Sequence, residues 1–122
     1  MQQSAIQVLV VEDHHLILMG AVAALKEAGF AAIGARSAEE AIQILETNSD
    51  VRVVFTDVDM AEGMDGIKLA YYIRRRWPPV KLIVTSGSMI LDERHLPEGT
   101  SFFRKPYDDT LIAKTINDMF LS

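Results

Sequence analysis

The sequence predicts an α/β protein, a doubly wound parallel sheet with helices packed on both faces. Three observations predict it. Short apolar runs alternate with amphipathic stretches along the chain. Those runs are apolar continuously rather than at every second residue, as strands buried on both faces require. Glycine or proline punctuates several joins, as at Gly29 and Pro78-Pro79. The 122 residues suit one domain with its own core, taken as residues 1–122 with no output domain and either acting alone or cut from a longer chain.

The elements follow in order. "IQVLVV" (6–11) is a β-branched run and reads as the first strand. "HHLILMGAVAALKEAG" (14–29) places Leu18, Val22 and Leu25 at helical spacing, with Gly29 as a stop. "FAAIGA" (30–35) reads as a second, weaker strand. "SAEEAIQILETN" (37–48) opens on Ser37 with Glu40 three residues on, a capping-box signature, and Ala38, Ala41, Ile42 and Leu45 form its buried stripe. "VRVVFTD" (51–57) is the third strand, and "MDGIKLAYYIRRRW" (64–77) is a helix ended by Pro78-Pro79. "VKLIVTS" (80–86) is the fourth strand. "SMILDERHL" (88–96) reads as a short helix ending near Pro97, with a turn or loop over "SMILDERHLPEG" as the alternative. "TSFFRK" (100–105) and "DDTLIAKTINDMFL" (108–121) complete five strand–helix pairs. Right-handed crossovers then place the helices on both sides of the sheet.

Composition excludes several classes of function. Apolar residues make up 49% and charged residues 24%, so general disorder is not expected. A net charge of -5 argues against direct binding of nucleic acid. The absence of cysteine rules out disulfides and thiolate metal sites. Met1-Gln2-Gln3-Ser4 does not open a signal peptide, and no apolar run has the length of a membrane span. A cytoplasmic protein that does not engage a membrane is expected.

In folds of this kind, ligands gather outside the carboxyl ends of the strands. The first strand ends in "VVEDH", with Glu12 and Asp13. The third ends in "FTDVD", with Asp57, the fourth in "IVTSG", with Thr85, and the fifth in "FFRKP", with Lys105. Carboxylates at one edge repel one another and tolerate proximity best around a cation. Oxygen-only ligands favour a hard ion such as Mg²⁺, with Mn²⁺ as a substitute. A metal, a lysine and a hydroxyl beside carboxylates suit a phosphoryl group in flight. No glycine-rich phosphate loop is present, so the nucleophile must be a side chain, and a carboxylate can form an acyl phosphate.

The chain resembles the receiver domains of two-component response regulators, and among them a stand-alone receiver similar to the chemotaxis regulator. The resemblance is carried by "VVEDH", Asp57 in "FTDVDM", "MDG" at 64–66, "IVTSG" with Thr85, and "KP" at 105–106. It implies a flavodoxin-like (βα)5 sandwich with strand order 2-1-3-4-5. It implies that Asp57 accepts phosphate from a histidine kinase phosphohistidine, or from a phosphotransfer protein. Asp13 would hold Mg²⁺ directly, Glu12 mostly through water, and Asp57 and the main-chain carbonyl of Asp59 would complete the protein ligands. Thr85 and Lys105 would each bond a phosphoryl oxygen. Phe102 would be the switch aromatic whose inward rotation accompanies movement of Thr85. Pro106 would follow a cis peptide. The output would be a protein–protein contact with a downstream partner, from a monomer or weak dimer, and the only catalysis would be gain and loss of the chain's own phosphate.

Each residue also has a plainer reading. Asp57 alone would be a turn residue, Thr85 strand filler, Lys105 a solvated lysine and Phe102 ordinary core. Glu12-Asp13 would cap a helix N-terminus. His14 and His15, being adjacent, do not face one another on a helix and read as its polar start. Arg74-Arg75-Arg76 reads as a solvated helix end complementing the dipole. Two rival functions follow: a phosphorylation-independent adaptor with the same fold, and a flavodoxin-like cofactor binder or hydrolase, which the glycine-free "EDHHL" disfavours.

Four departures from the family pattern stand out, one being that the segment from Thr85 to Lys105 is about two residues shorter than usual, with a weak fourth helix. The loop "MAEGMDG" is one residue longer than usual, with Ala61 where proline is common. Asp59 is acidic, so its side chain is expected to reach the phosphoryl group. Gly87, two residues past Thr85, leaves that flank of the site open.

Overall fold

The computed structural model describes residues 5–60, 65–88 and 90–120. Five strands form one parallel sheet: β1 (Gln7–Val11), β2 (Ala31–Ala35), β3 (Val51–Asp57), β4 (Lys81–Ser86) and β5 (Ser101–Arg104). Their order is β2-β1-β3-β4-β5. Four α-helices connect or follow them: α1 (His15–Glu27), α2 (Ala38–Thr47), α3 (Gly66–Arg76) and α4 (Asp109–Phe120).

Alternate residues of each inner strand feed two separate cores. Leu9, Val11, Val54, Leu82 and Val84 face one side, where α2 contributes Ala41 and Leu45 and α3 contributes Leu69 and Ile73. Val8, Val10, Val53, Phe55 and Ile83 face the other, covered by Leu18 and Leu25 of α1 and by Ile112 and Ile116 of α4. Both faces are buried, which explains the continuous apolar runs. In α1 the stripe is Leu18, Ala21 and Leu25; Val22, expected at that spacing, is only half-buried.

The Ser37 cap matches its sequence signal, whereas α1 is capped by His14 and not by Glu12 or Asp13. Ser37 Oγ accepts the Glu40 N–H at 3.1 Å, and Asp65 Oδ1 accepts the Lys68 N–H at 2.8 Å. His14 is the N-cap of α1, and its Nδ1 accepts the Ile17 N–H at 3.4 Å. Arg74, Arg75 and Arg76 form the last turn of α3, where Arg74 donates to the carbonyls of Pro78 and Val80.

The segment after β4 takes the turn-or-loop form rather than the helix. Among the described residues of 88–96 there is no α-helix; Glu93–His95 make a single 3-10 turn. Asp92 interrupts the segment as a cap, accepting the Arg94 N–H at 2.9 Å. The apolar residues that bury there are Leu91 and Leu96, five apart and so on different faces of any helix, while Ile90 is 87% exposed. The fold therefore has five strands and four α-helices among the described residues, rather than five strand–helix pairs.

Candidate functional site

The register of the sheet builds the site. Asp57 is the last residue of β3 and pairs directly with Thr85 of β4. Beyond β1, the Glu12 N–H donates to the Ala35 carbonyl at 3.0 Å, carrying the ladder one residue further. Lys105 follows β5, and its N–H donates to the Ser86 carbonyl at 2.9 Å. The Lys105–Pro106 peptide is cis, as expected. Glu12, Asp57 and Thr85 are thereby buried at one edge, with relative exposures of 5%, 5% and 3%.

Gly66 explains why "MDG" is needed. A Cβ at that position would meet the Asp57 carbonyl oxygen at 2.5 Å and the Val58 Cα at 2.5 Å. Only a glycine lets the start of α3 come this close to the end of β3. Met64 and the 61–63 part of the lengthened loop lie outside the described residues.

Both oxygens of Asp57 are engaged. Oδ2 accepts from Lys105 Nζ at 2.8 Å, and Oδ1 accepts the Asp59 N–H at 2.9 Å. Burial works against the Lys105 ammonium. Its bond to Asp57, with the charges of Asp57, Asp59 and Glu12, outweighs that and leaves its pKa above the ordinary lysine value. Glu12 is pushed up to about 7, chiefly by burial and further by the neighbouring Asp57 and Asp13. The His14 N–H, 2.9 Å from Glu12 Oε2, opposes that rise. Thr85 Oγ1 is buried and has no hydrogen-bond partner among the described residues. A buried hydroxyl left unpaired costs about 1–3 kcal/mol, so this atom is poised for an acceptor.

Phe102 stands away from these groups. It pairs with Val84 in the ladder, is half-buried and packs against the core on the α2–α3 face. The Arg104 guanidinium lies 5.3 Å from its ring centroid and also donates to the carbonyls of Ser88 and Leu91.

Two participants were not assigned from the sequence. Tyr107 packs edge-on against Phe55 at 5.5 Å and lines the same small pocket as Glu12, Asp57 and Thr85. Its hydroxyl is pushed up to about 12, first by burial and then by Asp109, Glu12 and Asp57. Ser86 is fully buried, and its Oγ donates to Asp59 Oδ1 at 3.0 Å. Tyr107 has a faint signal in "KPY"; Ser86 has none beyond its place after Thr85.

The oxygens expected to hold a cation are those of Glu12, Asp13, Asp57 and the Asp59 main-chain carbonyl. Among the described residues no three acidic or imidazole side chains converge as a ready-made cage. Glu12 nonetheless lies within interaction reach of both Asp57 and Asp13; hydrogen bonding to both and repulsion from the Asp57 charge are part of what raises it. A hard divalent ion held partly through water fits such a set, because it relieves that repulsion without demanding an all-protein cage.

Residues 8–117 match the family described as "Response regulator receiver domain". The chain is 36% identical over 116 residues to the sensor kinase CckA of Brucella abortus; the match covers 92% of this chain and 12% of that kinase's length. A receiver protein from Pseudomonas putida superposes with a TM-score of 0.84 at 29% identity, covering 96% of this chain and 99% of that one. A receiver domain protein from Clostridium thermocellum gives 0.84 at 26%, covering 93% and 92%. With an acidic edge, a lysine-paired aspartate and an orphan threonine hydroxyl at the ends of the strands, this chain belongs to the response regulator receiver domain family.

Proposed function

We propose that the chain is a phosphorylatable switch whose acceptor is Asp57. One observation carries this reading: Asp57 is buried at the sheet edge with Lys105 at 2.8 Å, while the hydroxyl of Thr85, its ladder partner, stays unbonded. An Asp57 oxygen attacks phosphorus as the P–N bond of a phosphohistidine breaks. The imidazole leaves with the electron pair and takes up a proton. Lys105 balances charge on one phosphoryl oxygen, and Thr85 donates its hydroxyl to another. Mg²⁺, or Mn²⁺ in its place, would be held by Asp13, Glu12, Asp57 and the Asp59 carbonyl, and would neutralise charge on the transferring group.

The donor is a histidine kinase or phosphotransfer protein, and the output is a changed surface read by another protein. Residues 1–122 act as one receiver unit in the cytoplasm, as a monomer or weak dimer, with catalysis confined to the chain's own phosphate. Thr85 and Phe102 move together when the switch fires. Among the described residues no helix is long and apolar enough to cross a membrane.

Incubation with Mg²⁺ and acetyl phosphate tests the reading. A mass gain of one phosphoryl group that needs Mg²⁺ and is lost in Asp57→Ala is the expected result. No gain in a folded sample that also ignores beryllofluoride would favour the phosphorylation-independent adaptor.

A further inference from the structure

The side chain of Asp59 joins several parts of the site. Its Oδ2 accepts the Gly87 N–H at 2.8 Å and lies 3.6 Å from Lys105 Nζ. Its Oδ1 accepts from Ser86 Oγ at 3.0 Å. Ser86 Oγ in turn accepts the Ser88 N–H at 3.0 Å. The Ser88 carbonyl is held by the Arg104 guanidinium, which covers the Phe102 ring. A continuous polar path thus runs from Lys105 through Asp59, Ser86 and Ser88 to the cover of Phe102. It fastens the two residues that follow Thr85, while the Thr85 hydroxyl itself is unbonded.

We propose that the Asp59 carboxylate is an internal anionic latch. It holds Lys105, Ser86 and Gly87 in the unphosphorylated arrangement, and the phosphoryl group on Asp57 must drive it off to switch the protein. The proposal rests on the phosphoryl-switch reading above.

Charge makes the two states exclusive. A phosphoryl group on Asp57 needs the Lys105 ammonium, which already serves Asp57 at 2.8 Å and Asp59 at 3.6 Å. A carboxylate beside an incoming dianion is repelled, and partial burial strengthens that repulsion. Once Asp59 lets go, the Ser86–Gly87 segment loses its tie to the end of β3. Thr85 is then free to shift toward the phosphoryl oxygens, and Ser88 with Arg104 is released from its hold over Phe102. Asp59 is therefore a positioning residue that acts through Lys105 and Gly87.

The test uses the full chain with Asp59→Asn and Asp59→Glu. Both substitutions keep the main-chain carbonyl assigned to the metal. Beryllofluoride affinity is measured by calorimetry in excess Mg²⁺, and the Gly87 amide resonance is followed by NMR. Asp59→Asn should bind beryllofluoride on the order of tenfold more tightly than the parent. Its Gly87 amide, before any ligand is added, should move toward the position seen in the liganded parent. Asp59→Glu, which keeps the charge, should bind less tightly than Asp59→Asn, whereas a merely structural role would weaken binding in both variants. Equal or weaker binding by Asp59→Asn, or a Gly87 amide that does not move, overturns the latch. Binding by none of the three proteins overturns the phosphoryl-switch reading and the latch with it.

Discussion

Thr85 faces Asp57 directly across the β3–β4 ladder, and its buried hydroxyl finds no hydrogen-bond partner among the described residues. Burial and orphanhood in one atom give an unusual expectation for a functional residue. Thr85→Val keeps the shape and removes the unpaired polar group. The resting protein should gain about 1 kcal/mol in urea unfolding, while its affinity for beryllofluoride falls. A loss of resting stability would show that Thr85 has a partner in solution.

Lys105 and Asp57 form the buried ion pair of the site. Lys105→Met strands the Asp57 carboxylate with only the Asp59 N–H. The expected destabilisation is about 1–3 kcal/mol, below that of a fully buried pair because the Lys105 side chain is 31% exposed. Phosphorylation by acetyl phosphate should drop at the same time. Unchanged urea midpoints would mean that water already screens the pair.

The raised pKa of Glu12 makes stability depend on pH. Its folded value is about 7 against an ordinary 4.5, so the native state holds the extra proton between these values. Stability attributable to Glu12 is therefore full below pH 4.5 and is lost as pH rises to about 7. The slope should not exceed about 1.4 kcal/mol per pH unit for this one group. Glu12→Gln should flatten it, and added Mg²⁺ should flatten it by stabilising the ionised form. Urea midpoints taken across that range check both. A Mg²⁺-free slope that Glu12→Gln leaves unaltered would assign the titration to another group.

Gly66→Ala tests the close approach of α3 to β3. The new methyl would collide with backbone at Asp57 and Val58, which cannot yield as a flexible side chain would. A stability loss of about 1–3 kcal/mol is expected, with slower phosphorylation because the displaced backbone carries Asp57. Circular dichroism melts and the acetyl phosphate assay read the two effects separately.

Much of this protein is legible in the order of its residues. Alternating apolar runs and amphipathic stretches determine a parallel sheet covered on both faces, because each element must bury its own apolar side. Asp57, Thr85 and Lys105 are legible as a site for a general reason: strands laid in parallel bring their carboxyl ends to one edge.

The tertiary structure decided what depends on which side chain meets which. The segment 88–96 has helix-compatible residues, yet a short helix is marginal alone. Burying Leu91 and Leu96 together won over helical hydrogen bonding, and Asp92 capped a single turn instead. Asp59 reads in sequence as a main-chain ligand with an acidic side chain expected to reach the phosphoryl group. Its engagement with Ser86 and Gly87 exists because the β3–β4 pairing brings residues 27 and 28 positions away within hydrogen-bond range. Local pattern specifies elements, since periodicity and caps act over a few residues. Contacts between the ends of different strands depend on register and packing, which are set only when the whole sheet has formed.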